Sequence, residues 1–305
     1  MAFRNLMVSS KAAIRLHNGN ITVETDTAER SVPLEDINSL LLESRQSIIT
    51  SAALCALAQA GATVYVCDER HIPCAAMLPF APNARNYGVL KKQESLTAPA
   101  QKRLWRQIVK GKIANQARCL AISGDEESAE HLSSLEKTVL SGDSKNAEAV
   151  AAAFYFKALF GKGFFRNDAE DFRNSALNYG YAVLRGHIAR LLVSYGFLPM
   201  KGIHHKSELN AFNLADDFIE PFRPLADLFV ADYCASHETA GSDLDPDVKK
   251  GLYNLLNLEM QSGEQLHSVS YAAERTVQSF MRCCEKTSKE LTLPVLLPLK
   301  QHSYE

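Results

Sequence analysis

The chain has 305 residues, with 33 Lys and Arg against 35 Asp and Glu and a formal net charge of −2. Its 46% hydrophobic and 22% charged residues describe an ordinary globular protein with material for about two domains. That balance excludes a polyanion-binding surface made from bulk charge. No apolar run approaches the roughly 20 residues that span a bilayer, so no membrane role is expected.

The first 80 residues read as strands. NLMVSS, AAIRLHN and ITVETD are short and rich in β-formers, and Asn18-Gly19 between the last two is a strong hairpin signal. Leu40-Leu41-Leu42 within SVPLEDINSLLLES predicts a buried strand. TSAALCALAQAG over 50–61 predicts a short helix ended by Gly61. ATVYVCD and CAAMLPF predict two more strands. The opening MAFRNLMVSSK has no apolar core of a signal peptide. Seven scattered cysteines with no C-x-x-C pair argue against a disulfide framework or a zinc knuckle, so a reducing cytoplasm is expected.

Composition shifts at APNARNYG, residues 81–88, and the pattern turns helical from about residue 97. Pro99 suits a first helical turn, and one long amphipathic pattern runs from there to Ser123. Further helices are predicted over 126–140, 144–160, 171–195, 213–236, 246–260 and 265–290. The expected fold is α+β: a small β-rich domain over 1–82, a linker over 83–96 and a larger all-helical catalytic domain over 97–305.

Residues 202–227, GIHHKSELNAFNLADDFIEPFRPLAD, put His204 and His205 ahead of Asp216, Asp217 and Glu220 among apolar neighbours. On a helix, Asp217 and Glu220 share a face, as do Asp216 and Glu220. Pro221 and Pro224 lack the N–H of a continuing helix, so a break is expected there. Imidazole with carboxylates suits a divalent cation such as Mn²⁺, and all-oxygen sites suit Mg²⁺. The same pattern also reads as an exposed acidic face paired with Arg223. Glu148, in DSKNAEAVAAAFYFKALFG, is a further candidate ligand, with Asp143 or Ser144 as the helix cap. It could equally do no more than complement the helix dipole in the first turn.

Gly202-x-x-His205, Leu214 and then Asp217-Phe218-Ile219-Glu220-Pro221-Phe222-Arg223-Pro224 resemble the signature of CRISPR-associated protein one, the CRISPR adaptation integrase family. Glu148 followed by Phe154-Tyr155-Phe156 is similar to the family's upstream acid and aromatic pair. IANQARCL at 113–120 and NSALNYGY at 174–181 resemble two of its helices. Val32-Pro33-Leu34, Ile48-Ile49-Thr50 and Asp68 match its N-terminal half, and the opening FRNLMVSSKAAIRLHNGNI resembles the type II variant. The resemblance covers nearly the whole chain. After Phe165-Arg166 the family usually shows more Arg and Pro, whereas this chain has NDAEDFRNS with three acids, and His204 is an extra histidine.

The resemblance implies insertion of short DNA fragments, the new spacers, into a repeat array by transesterification from a 3′-hydroxyl. Glu148, His205 and Glu220 would be the catalytic residues and the ligands of Mg²⁺ or Mn²⁺. Asp217 would orient a ligand or a water, and its replacement by Ala would do less damage than loss of a ligand. The implied partners are double-stranded DNA (spacer precursor and repeat) and a small ferredoxin-like CRISPR-associated protein two. The implied assembly is a homodimer formed through the β-rich domain, two dimers flanking the partner.

DNA affinity must come from local charge. Residues 95–124 carry six Lys and Arg after Glu94 with no acid before Gly124, and Arg103, Arg106 and Lys110 share one helical side. They are the candidate phosphate contacts, with Arg85, Lys91 and Lys92 as weaker ones. A solvated basic face is the alternative, and Trp105 reads as packing. Two rival functions remain: a metal-dependent nuclease acting on branched DNA, and a helical DNA-binding scaffold without activity.

Overall fold

A computed structural model describes residues 4–69, 73–77 and 86–303. The N-terminal part builds two four-stranded sheets from β1 (Arg4–Val8), β2 (Ala12–His17), β3 (Asn20–Thr25), β4 (Glu29–Pro33), β5 (Ile37–Leu42), β6 (Ile48–Ile49), β7 (Thr63–Cys67) and β8 (Pro73–Met77). One has the order β4-β3-β2-β6, the other β1-β5-β7-β8. The β2–β3 hairpin turns on Asn18 (φ 47°) and Gly19 (φ 76°), as a two-residue turn with positive φ at both positions requires. α1 (Ser51–Gln59) starts where the Thr50 side chain accepts the Ala53 N–H, and it gives way at Gly61 (φ 78°).

β5 is buried along both faces, which explains its unbroken apolar run. Ile37 and Leu40 join Ile14, Ile21, Leu57 and Val64 in a small core beneath α1. Leu41, with Tyr65 of β7, belongs instead to the large core of the helices.

The stretch expected to be a linker carries a helix, α2 (Asn86–Glu94); residues 78–85, with Arg85, lie outside the described residues. Then come α3 (Ala98–Ile122), α4 (Glu126–Lys137), α5 (Ala147–Phe160), α6 (Phe172–Ser194), α7 (Asn213–Ile219), α8 (Arg223–Ser236), α9 (Pro246–Tyr253) and α10 (Val269–Cys284). The break expected at Pro221 is present as a single 3₁₀ turn, Glu220–Phe222, between α7 and α8.

This part is not all-helical, contrary to the sequence expectation. Strands β9 (Glu259–Ser262), β10 (Gln265–Ser268) and β11 (Pro294–Val295) form an antiparallel sheet of order β10-β9-β11. The helix expected over 246–260 therefore stops early. The one expected over 265–290 begins only at Val269, where Ser268 caps it by accepting the Tyr271 N–H. Gly263, at φ 66°, makes the turn between β9 and β10. No helix among the described residues is long and apolar enough to cross a membrane.

Polar locks tie the sheets to the helices. Lys249 Nζ of α9 lies 2.8 Å from Glu43 Oε1, both side chains being less than 10% exposed. Tyr253 and Ser39 hydroxyls are 2.7 Å apart. Tyr65 packs so closely on Gly186 of α6 that a Cβ there would sit 2.2 Å from its ring. Lys249→Met is expected to cost about 3–5 kcal/mol in urea unfolding, because it strips the ammonium from a buried carboxylate. Combining it with Glu43→Leu should recover much of that loss, since the penalty is that of a buried charge.

Candidate metal centre

Three elements meet at the site. α5 begins after Asn146, which takes the left-handed conformation (φ 54°). The Asp143 carboxylate accepts the N–H groups of Ala147 (2.8 Å) and Glu148 (3.0 Å), so Glu148 is held in the first turn. The 3₁₀ turn supplies Glu220. Pro221 cannot donate to the helix ladder, and its own carbonyl accepts from Asn115 Nδ2 of α3 at 2.7 Å. Asn115 also bonds the Pro294 carbonyl and the Leu296 N–H, pinning the break to α3 and to the chain's C-terminal segment.

The loop between α6 and α7 supplies the histidines, and Asp217 organises it. This fully buried carboxylate accepts the backbone N–H groups of Ile203 (2.5 Å), His204 (3.1 Å) and His205 (3.1 Å), and its Oδ1 lies 2.8 Å from His205 Nδ1. With Nδ1 engaged as donor, His205 keeps Nε2 as its free ring nitrogen. Gly202 has no alternative: a Cβ there would meet the His205 carbonyl at 2.3 Å and Asp217 Oδ2 at 2.9 Å. That contact explains the glycine of the G-x-x-H pattern. Asn213 closes the loop, its Nδ2 donating to the Met200, Ser207 and Asn210 carbonyls. His204 lies flat on Trp105, ring centroids 4.1 Å apart, while His205 meets the same indole edge-on. Trp105 is 2% exposed, so it packs, as the sequence suggested.

Glu148 and Glu220 converge on one cation, the buried ammonium of Lys112. Its Nζ is 2.6 Å from Glu148 Oε1 and 2.5 Å from Glu220 Oε2. Arg223 Nε donates to the other Glu220 oxygen at 2.9 Å. Burial pushes the Glu220 carboxyl up, but Lys112 and then Arg223 outweigh it and hold it below the usual carboxylate range. Burial likewise lowers Lys112, and Glu220 with Glu148 more than restores it. The hydrogen bond to Asp217 raises His205 above the usual histidine value against the effect of its burial; the charge of Asp217, and then that of Glu220, adds to the rise. Arg223 in turn lies over the Tyr181 ring at 4.5 Å. Tyr181 and Tyr155 both donate to Asp227, whose carboxyl burial pushes up to about 6. This chain of contacts links α5, α6 and α8 behind the site.

The acids are thus a buried ionic cluster, with Arg223 as the pairing partner, and not an exposed face. Asp216 turns away, toward Asn210 (2.6 Å) and Arg185. Among the described residues, no three His, Cys, Asp or Glu side chains are gathered tightly enough to hold an ion as they stand. The donor set nonetheless fits a divalent cation: Glu220 Oε2 is buried without an aligned hydrogen bond, two carboxylates already embrace a cation, and the imidazole oriented by Asp217 is near enough to Glu220 to feel its charge.

The basic stripe does not reach this cluster. Arg106 is exposed and its Nε donates to the Val139 carbonyl at 2.8 Å. Lys110 pairs with Glu136 of α4 at 2.8 Å. Arg103 is half-buried on α3. The sequence reading counts Lys112 only as one of the six basic residues of 95–124 and Asn115 only as part of IANQARCL, although both fall on the apolar stripe of α3 with Ile108, Ile113 and Cys119. A lysine on a buried face was the available signal.

The family profile of CRISPR associated protein Cas1 matches residues 6–259. The chain belongs to the Cas1 family. It is 42% identical, over the full length of both chains, to the CRISPR-associated endonuclease Cas1 of Neisseria meningitidis serogroup C. A second Cas1 endonuclease, from Pyrobaculum aerophilum, is 29% identical over 74% of this chain and 81% of its own. The fold is shared with a casposase bound to integration product, at a TM-score of 0.78 and 17% identity over 95% of this chain and 92% of that one. It is also shared with a CAS1 protein from Thermotoga maritima, at a TM-score of 0.73 and 14% identity over 92% and 97%. Gly202, Asp217 and Asn213 hold the His205 loop in place.

Proposed function

We propose that this protein is a divalent-metal-dependent DNA integrase and endonuclease of CRISPR adaptation, joining a DNA 3′-hydroxyl to a repeat by transesterification. The observation that carries the proposal is the convergence of Glu148 and Glu220, from separate helices, on one buried cation position beside a histidine fixed by Asp217. Membership of the Cas1 family and the 42% identity to a named Cas1 endonuclease support it.

Glu148, His205 and Glu220 would hold Mg²⁺ or Mn²⁺. The ion would neutralise charge on the phosphodiester and align the attacking oxygen. Asp217 fixes the tautomer and direction of His205, and Arg223 fixes Glu220. Exchange of one phosphodiester for another needs no nucleotide hydrolysis and no protein nucleophile. We also propose a ferredoxin-like Cas2 partner and a homodimer formed through the β-rich part. The test is integration of a labelled duplex into a repeat-bearing plasmid, with and without the partner. Strand joining supports the reading, and cleavage alone would assign a nuclease instead.

The raised His205 value sets a pH dependence. Protonated imidazole cannot ligate, so joining at low, sub-saturating Mn²⁺ should rise with pH, and the raised His205 value moves that rise to higher pH than an ordinary histidine would give. Asp217→Asn removes the main raising contact, and in folded protein the midpoint should move down. An unmoved midpoint would mean another group controls the profile.

Arg103, Arg106 and Lys110 remain the proposed phosphate contacts, Lys110 less available than the sequence suggested because of Glu136. Duplex affinity should fall with salt by about 0.9 log units per log unit of salt for each phosphate neutralised. Replacing all three by Ala should lower that slope by about 2. Equal slopes for wild type and variant would make the stripe a solvated face.

A further inference from the structure

We infer that Lys112 is a built-in competing cation: its ammonium holds Glu148 and Glu220 together at the ion position and must leave before a divalent ion enters. The inference deepens the metal-centre reading above and rests on it. Lys112 stands on α3 one turn before the Asn115 that fixes the Pro221 break, so its reach to both glutamates is set by the same contact that places Glu220.

The local charges are already matched. Two carboxylates, Glu148 and Glu220, face two cations, Lys112 and Arg223. A dication added to that quartet would lie against an ammonium in a buried place, where like charges repel strongly. Arg223 cannot yield, because its guanidinium is stacked on Tyr181 and bonded to the oxygen of Glu220 that Lys112 does not touch. Lys112 can. Its charge sits at the end of a flexible four-carbon stem. The Glu148 side chain is 24% exposed while that of Glu220 is 5% exposed, so the way out passes Glu148.

The lysine therefore serves two states. Without the ion it prevents two converging carboxylates from repelling each other across the gap between α5 and the 3₁₀ turn. With the ion present it has lost its place, and the work of displacing it is subtracted from ion affinity. Ion binding is weakened by the lysine, which makes it a determinant of the metal concentration at which the site loads.

The experiment follows free Mn²⁺ by electron paramagnetic resonance, at one pH, for wild type, Lys112→Met and Glu148→Gln. Lys112→Met should bind Mn²⁺ about 10-fold tighter than wild type, and Glu148→Gln about 10-fold weaker or worse. If Lys112→Met binds equally or more weakly while Glu148→Gln loses binding, the ion site stands and the competing role of Lys112 is overturned. Binding unaffected by Glu148→Gln would instead remove the metal-centre reading itself. A second measurement needs no variant. Acetylation of Lys112 in the wild-type protein, read by peptide mass spectrometry, should rise about 10-fold when Mn²⁺ saturates the site. Labelling that stays flat or falls as Mn²⁺ binds would show the ammonium still in place and overturn the inference.

Discussion

Glu148→Gln is expected to reduce DNA strand joining by at least about 100-fold while the protein stays folded. Loss of a group that only orients a ligand already costs about 10–100-fold in metal affinity or activity, and loss of the ligand itself should cost more. The fold should tolerate the change, because the Glu148 side chain is 24% exposed and its helix is capped by Asp143, not by its own carboxylate. Its melting temperature should stay within about 4 °C of wild type, a shift on the order of 1 kcal/mol or less. Glu220→Gln should abolish joining too, but for two reasons at once. Glu220 is buried between Lys112 and Arg223, and removing one partner of a buried ion pair costs about 3–5 kcal/mol. A joining assay beside a melting curve separates the two variants. If Glu148→Gln joins at the wild-type rate, Glu148 is not a ligand.

Asp217→Ala is expected to damage the protein as much as loss of a ligand does, which reverses the milder effect that sequence reasoning assigned to it. The carboxylate accepts three backbone N–H groups and the imidazole of His205. Each buried donor left unmade costs about 1–3 kcal/mol, so the loop from Lys201 to His205 should lose its shape at a cost of about 3 kcal/mol or more. Urea unfolding and a joining assay read both consequences. Wild-type stability together with full activity would show that the loop does not depend on this acid.

The sequence made some of this legible because local rules decide it. Asn18-Gly19 fixes its hairpin through backbone freedom alone, and Pro221 breaks the helix wherever the rest of the chain lies. The stretch from Gly202 to Glu220 is held as one unit because one acid, Asp217, ties the loop to the helix fourteen residues later. What stayed hidden depends on contacts distant in the chain. β10 and the first half of β9 read as helix because their apolar residues are few and their sheet is completed by β11, about thirty residues on. Asn115 reads as an ordinary polar residue until its partners at Pro221 and Pro294 are in view. Lys112 reads as one more of the six basic residues of 95–124, although its position among Ile108, Ile113 and Cys119 places it on the buried side.

The central claim is that Glu148, His205 and Glu220 together form one divalent-ion site. Anomalous diffraction from crystals grown with Mn²⁺ tests it most directly. The account predicts one strong peak about 2.1 Å from a carboxylate oxygen of each glutamate and from His205 Nε2. A peak held by other residues, or none at saturating Mn²⁺, would contradict it.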